Sequence, residues 1–150
     1  MKFNKSFEGN DFNEYAEYLL KIKNKIPKKL FDFISDPERH DLGDKSLHDS
    51  RITKIQYEFV SEDKYKMSLL LLGKNRTFEI RFKNISQLNI KLTNYGDIYK
   101  DLITYEVGTE KDTLENEKIV FRAKFPFEEG KLEIYSEKIE IEENVLQHRV

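Results

Sequence analysis

The chain has three histidines, His40, His48 and His148. Two of them begin His-Asp dipeptides, His40-Asp41 and His48-Asp49, and Asp36 and Asp44 stand close by in the sequence. Imidazole and carboxylate together are the donor set of a divalent metal site and the material of a general acid–base pair. Read as chemistry, His40, Asp44, His48 and Asp49 are the candidate ligands of a metal-dependent hydrolase. Read as structure, the same segment holds half-buried imidazoles, and Asp49 satisfies turn amides as the chain enters its first strand. The structural reading predicts a buried Leu47 and an Asp49 side chain that accepts a backbone hydrogen bond.

Other chemistries lack their residues. With no cysteine there is neither a disulfide nor a thiolate nucleophile. No Gly-x-Ser-x-Gly elbow is present, and Gly73 and Gly96 stand singly in turns, so a glycine-rich phosphate cradle is missing. HD phosphohydrolases hold their metal with a distant His, a His-Asp pair and a later Asp, all on helices. Here the His-Asp pairs sit on a loop and at a strand start. Arg76-Thr77-Phe78-Glu79-Ile80-Arg81-Phe82-Lys83 interleaves basic and aromatic residues as an RNA-binding strand does, but it lacks that motif's glycines. Its aromatics share the parity of Ile80, which predicts a core face with a charged outside.

The elements that must position these residues begin with helices. Asp11 to Glu14 fits a capping box with Asp11 as the N-cap. Phe12, Tyr15, Ala16, Leu19, Ile22 and Ile26 then recur at helical spacing. Pro27 ends that helix near Lys25 and begins a shorter one carrying Leu30, Phe31 and Ile34, which Asp36-Pro37 stops. Lys21, Lys23, Lys25, Lys28 and Lys29 form a basic cluster, read as a solvated face. From Glu38 to Ser50 the periodicity is lost.

Beyond Ser50 the period is two. Strands are expected around Ile55 to Phe59, Tyr65 to Leu72, Phe78 to Phe82, Leu88 to Leu92, Ile103 to Val107, Ile119 to Phe125 and Leu132 to Ile141. Turns are expected at Ser61-Glu62-Asp63, Gly73-Lys74-Asn75 and Asn94-Tyr95-Gly96-Asp97, with a loop from Gly108 to Glu117. Leu132 and Ile134 differ in parity from Ile139 and Ile141, which predicts a bulge or break near Ser136-Glu137. Helices followed by hairpins indicate an α+β fold: two N-terminal helices within 11–36, then a mostly antiparallel, curved sheet of about seven strands over 50–141. With 150 residues and no visible linker, one domain is expected. Ile55, Tyr57, Phe59, Phe78, Ile80, Phe82, Phe121 and Ile134 form its expected core, with Phe12, Leu19 and Ile22 packed on them. Lys54, Glu79 and Lys83 are expected outside.

Charge is dense and balanced: 26 basic and 28 acidic residues give a net charge of −2. That balance argues against nucleic acid as a partner, since such binders concentrate basic charge on one face. No apolar run reaches membrane-spanning length, and the polar start Met1 to Lys5 has no signal-peptide pattern. The expectation is a cytoplasmic protein without membrane or cofactor.

Leu47-His48-Asp49-Ser50-Arg51-Ile52 resembles the start of the first strand in a group of small Bacillus-type (Firmicute) proteins of unknown function. The similar layout continues through Thr77 to Ile85, Tyr95 to Asp101 and Gly130 to Ile141, and covers roughly residues 46–143. Leu-His-Asp strand starts of this kind also resemble those of immunity proteins from bacterial toxin systems, which are non-catalytic binders. The resemblance implies a fold and a binding role, and it transfers no functional residues.

Together these readings favour a non-enzymatic interaction module, immunity-protein-like or self-associating. Its candidate surface is Leu70, Leu72 and Val120, apolar residues of the parity opposite to the main core. The metal-dependent hydrolase is the first alternative. The second is a small-molecule binder whose pocket is lined by some of the 8 tyrosines and 11 phenylalanines.

Overall fold

Aromatic and branched residues at helical spacing give a first helix, α1, over Phe12–Ile22, which buries Tyr15, Leu19 and Ile22. The computed structural model describes residues 12–91, 102, 104–111, 117–124 and 131–147, so the expected cap at Asp11 lies outside the described residues. A single 3-10 turn, Lys23–Lys25, follows α1. Pro27 then supplies the carbonyl that accepts the first bond of α2, from Phe31 N at 2.9 Å. Helix α2 spans Lys28–Ile34 and buries Leu30, Phe31 and Ile34. Asp36 accepts the Glu38 amide at 3.0 Å, which caps a 3-10 turn at Pro37–Arg39.

The strands are β1 (Arg51–Ser61), β2 (Lys64–Leu72), β3 (Arg76–Lys91), β4 (Thr104–Lys111), β5 (Glu117–Lys124) and β6 (Lys131–Val145). They form one antiparallel sheet in the order β1-β2-β3-β6-β5-β4. The fold is therefore α+β, with six strands among the described residues rather than seven. The segment expected at Phe78 to Phe82 and the described part of the next, Leu88 to Lys91, are one continuous strand, β3. Asn84 at φ 55 and a bulge between Ile85 and Gln87 change the phase of β3 while its pairing to β6 continues.

The expected break near Ser136-Glu137 has the same origin. Phe82 pairs with Ile139 and Ile85 with Ser136, and all four are buried. Both strands therefore change face between those rungs, and neither ends. Asn84 Nδ2 donates to Glu137 at 2.9 Å on the rung where they cross. The loop expected from Gly108 begins later, because Gly108 and Thr109 are buried within β4.

Met67, Leu69 and Leu71 of β2, Phe78, Ile80 and Phe82 of β3, Phe121 of β5 and Ile134 of β6 pack with the helices in one cluster. Phe12 and Ile55 are half-buried at its margin, while Lys54 and Lys83 are exposed and Glu79 is intermediate. Tyr57 and Phe59 depart from expectation, at 48% and 66% exposure. Their parity is as expected, since Tyr57 pairs with Met67 and Ile55 with Leu69. Among the described residues the main helix–sheet contacts are those of α1 with β4 and of α2 with β6, away from these two side chains.

Val120 requires the opposite correction. It is fully buried (0%), on the rung between Gly108 and Tyr135, both of which are themselves buried or half-buried. Leu70 is half-buried and Leu72 is 38% exposed. No helix among the described residues is long and apolar enough to cross a membrane.

Candidate functional site

The His/Asp segment does not gather its side chains. The His40 ring stacks on Tyr105 (4.5 Å between centroids) and is flanked by Phe12 at 4.9 Å and Tyr15 at 5.5 Å. Its Nε2 lies 2.7 Å from the Ile34 carbonyl. A carbonyl only accepts, so this nitrogen carries the proton and its lone pair cannot face a metal. Asp41 accepts the Gly43 amide at 2.7 Å, and Asp44 is exposed. His48 Nε2 lies 3.3 Å from Asp49 Oδ1. Among the described residues no group of three or more His, Asp and Glu side chains is placed to hold a metal ion.

Leu47 is fully buried, as the structural reading requires. The turn is tied by serines: Ser46 Oγ accepts the His48 amide at 3.0 Å, and Ser50 Oγ donates to the Leu47 carbonyl at 2.6 Å. Asp49 contributes through its backbone, which takes φ 65 and donates its amide to the Leu102 carbonyl at 2.8 Å.

The strongest charge cluster lies beyond that loop. Arg39 grips Glu143 with two bonds, of 2.7 and 2.6 Å, and Arg76 Nη1 reaches the same carboxylate at 3.1 Å. The hydrogen bond from Arg39 holds the Glu143 pKa below its ordinary value, against the effect of partial burial, with Arg76 adding to it. Burial works to lower the Arg39 pKa, but its bond to Glu143 more than offsets this and the net shift is upward. Arg39 also lies over the Phe33 ring at 4.4 Å. Both guanidiniums already have a carboxylate, so the cluster works as a clamp between the Pro37–Arg39 turn, β3 and β6.

Beside it, a half-open groove of about 640 Å³ runs between α2 and β6, lined by Pro27, Leu30, Ile139 and Ile141 with Lys29 and Arg81 at its rim. Arg76 to Lys83, the basic and aromatic strand, turns Phe78 and Phe82 fully into the core.

The two ends of the sheet differ sharply. An end strand presents the amide and carbonyl of alternate residues away from the sheet. On β4 these groups are taken up by α1. The Tyr15 hydroxyl donates to the Val107 carbonyl at 2.7 Å and accepts the Val107 amide at 2.7 Å. Tyr18 does the same at Thr109, at 3.3 and 3.1 Å. Burial pushes the Tyr15 phenol well above its ordinary pKa, which keeps the proton this double role needs. Leu102, just before β4, exchanges bonds with Asp49 and Ser50 (2.8 and 2.9 Å).

Strand β1 stands at the other end and pairs on its β2 side. Its ring-bearing face is open, with Tyr57 and Phe59 48 and 66% exposed, and Val60, at the register shift that follows, is 55% exposed. Tyr65 of β2 stacks on Tyr57 at 5.4 Å and meets Phe59 edge-on at 5.7 Å. A shallow depression of about 290 Å³ continues from Tyr57 and Tyr65 to Ile85 and Leu88.

No protein-family model and no curated protein matches the chain.

The alternation of Ile55, Tyr57 and Phe59 gave the face of β1 correctly but carried no information on where the helices would stop. Charge pattern is the signal that could have marked this strand. Arg51 to Ser61 carries one acid, Glu58, and two bases, Arg51 and Lys54, around a central Gln56.

Proposed function

We propose that the protein is a non-enzymatic interaction module that binds a protein partner through the β1 end of its sheet. The observation that carries this reading is the contrast between the two ends. Tyrosine hydroxyls and a loop occupy the β4 edge, whereas the terminal strand β1 displays Tyr57, Phe59 and Val60 to water. Exposed aromatics beside a terminal strand suit strand addition, in which main-chain bonds give affinity and side chains give specificity. The immunity-like resemblance supports the same role. The surface moves from Leu70, Leu72 and Val120 to Tyr57, Phe59 and Val60, with Leu72 still exposed on β2.

The test is association of the full chain, read by light scattering and by capture from host extract. Wild type is compared with a Tyr57→Ser/Phe59→Ser variant. Expected is association in the wild type that the variant loses while keeping the same circular dichroism. A wild type that stays monomeric and captures nothing the variant fails to capture overturns the reading.

A further inference from the structure

Resting on that reading, we propose that the partner at β1 is a second copy of this chain, added antiparallel about a two-fold axis at Gln56. In an antiparallel pair, residues opposite one another turn their backbone groups the same way. A two-fold axis normal to the sheet must therefore pass where a residue faces its own copy. Strand β1 spans Arg51–Ser61, so Gln56 is its middle residue and this register overlaps the strand over its full length.

The same register is the one that matches charge. It sets Lys54 against Glu58 of the second copy, and Glu58 against Lys54 of that copy. Moving the axis to Ile55 sets Lys54 against Gln56 and Glu58 against Ile52. Moving it to Tyr57 sets Lys54 against Val60 and Glu58 against Gln56. Opposite charge thus distinguishes the register centred on Gln56 from its two neighbours. Glu58 is already held in place by Lys66 at 3.0 Å, so its carboxylate is anchored beside the edge. A lysine on a terminal strand discourages pairing with arbitrary strands. Opposite Glu58 it favours this one.

The apolar side chains follow. Ile55 meets Tyr57 across the axis on both sides, so the aromatic row continues from one copy into the other. The register shifts of β1 against β2 fall between Ile52 and Lys54 and between Phe59 and Ser61, which leaves a regular run around Gln56. The product is a continuous sheet to which each copy brings six strands, with its β4 end closed by α1.

Size exclusion with light scattering, from micromolar to millimolar chain, tests this. The wild type should move toward twice the 18.0 kDa chain mass as concentration rises. Lys54→Glu and Glu58→Lys, each alone, oppose like charges twice across the axis and should weaken association about tenfold. An equimolar mixture of the two variants sets opposite charges at both contacts and should recover the dimer. So should Lys54→Glu/Glu58→Lys in one chain, and circular dichroism checks that every variant is folded. Single variants that associate like wild type, or a mixture that fails to recover, overturn the inference. A monomeric wild type that still captures a host protein through Tyr57 and Phe59 removes the second copy and leaves the interaction reading standing. A monomeric wild type with no such capture removes both.

Discussion

At the β4 end of the sheet, Tyr15 and Tyr18 hydrogen-bond the amides and carbonyls of Val107 and Thr109. At the β1 end, Tyr57 stacks on Tyr65, and Phe59 is left with two thirds of its surface in water (66%). The same residue class closes one edge and decorates the other. What separates them, among the described residues, is the helical layer, which makes its main sheet contacts through α1 on β4 and α2 on β6. A terminal strand that no helix covers is a template for another strand unless its charges and irregularities keep one away.

The comparison breaks most visibly at Tyr15. Tyr15→Phe keeps the ring and removes the one hydroxyl that serves both backbone groups of Val107. Leaving a buried amide and a buried carbonyl without that partner should cost about 3 kcal/mol. Urea denaturation measures it. A loss below about 1 kcal/mol would mean that the hydroxyl does not close the edge.

Next in size is the clamp that holds the Pro37–Arg39 turn to the sheet. Glu143→Gln leaves Arg39 and Arg76, whose side chains are only 13% and 11% exposed, without their shared anion. The expected cost is about 2 kcal/mol at neutral pH. The pH dependence follows from the lowered pKa of Glu143, set by its bond to Arg39. A folded value below the unfolded one means that the carboxylate's contribution is complete above the unfolded pKa. It is lost as the pH falls through the folded pKa. Wild-type stability should therefore fall in that acid range by more than the variant's does, and the two curves should converge. Parallel curves would show that the clamp is not titrating.

How much of this was legible in the sequence depends on the range of the interaction. Local signals were sufficient for α1, for the Pro27 start of α2, for the Glu62-Asp63 and Gly73 hairpins and for the parity of every strand from β1 to β3. The phase slip at Ser136 was visible too. The sequence could not show that Asn84 makes the matching slip on β3, which joins two expected strands into one. The burial of Val120 and the exposure of Tyr57 and Phe59 depend on what covers each part of the sheet. Those are facts of layer and strand order, and alternation is blind to both. The His-Asp pairs left a structural and a metal reading open for a related reason, because spacing cannot show whether side chains converge, and the fold surrounds His40 with aromatic rings.

Asp49 gives a smaller effect, at the loop that seals the start of β4. Its backbone sits at φ 65 and gives its amide to Leu102. Asp tolerates the left-handed region better than Ala does, and Gly adopts it without strain. Asp49→Ala should therefore cost about 1 kcal/mol, while Asp49→Gly should stay within about 0.5 kcal/mol of wild type. Thermal melts of the two variants test the assignment. Equal losses would point to the His48–Asp49 side-chain pair instead of the backbone.

The smallest change in stability is expected at the β1 end, where the proposed interface lies. Phe59 is 66% exposed and lies beyond the helical layer, so Phe59→Ser removes little buried apolar surface. Its stability should stay within about 0.5 kcal/mol of the wild type in dilute solution. The variant gains its diagnostic value from concentration. If β1 is an interface, the wild-type melting temperature should rise with chain concentration, because association stabilises the folded state by mass action. The Phe59→Ser melting temperature should not. A large loss in dilute solution would mean that Phe59 is part of the core after all. It would also close the distinction between the two edges, because both would then serve stability alone.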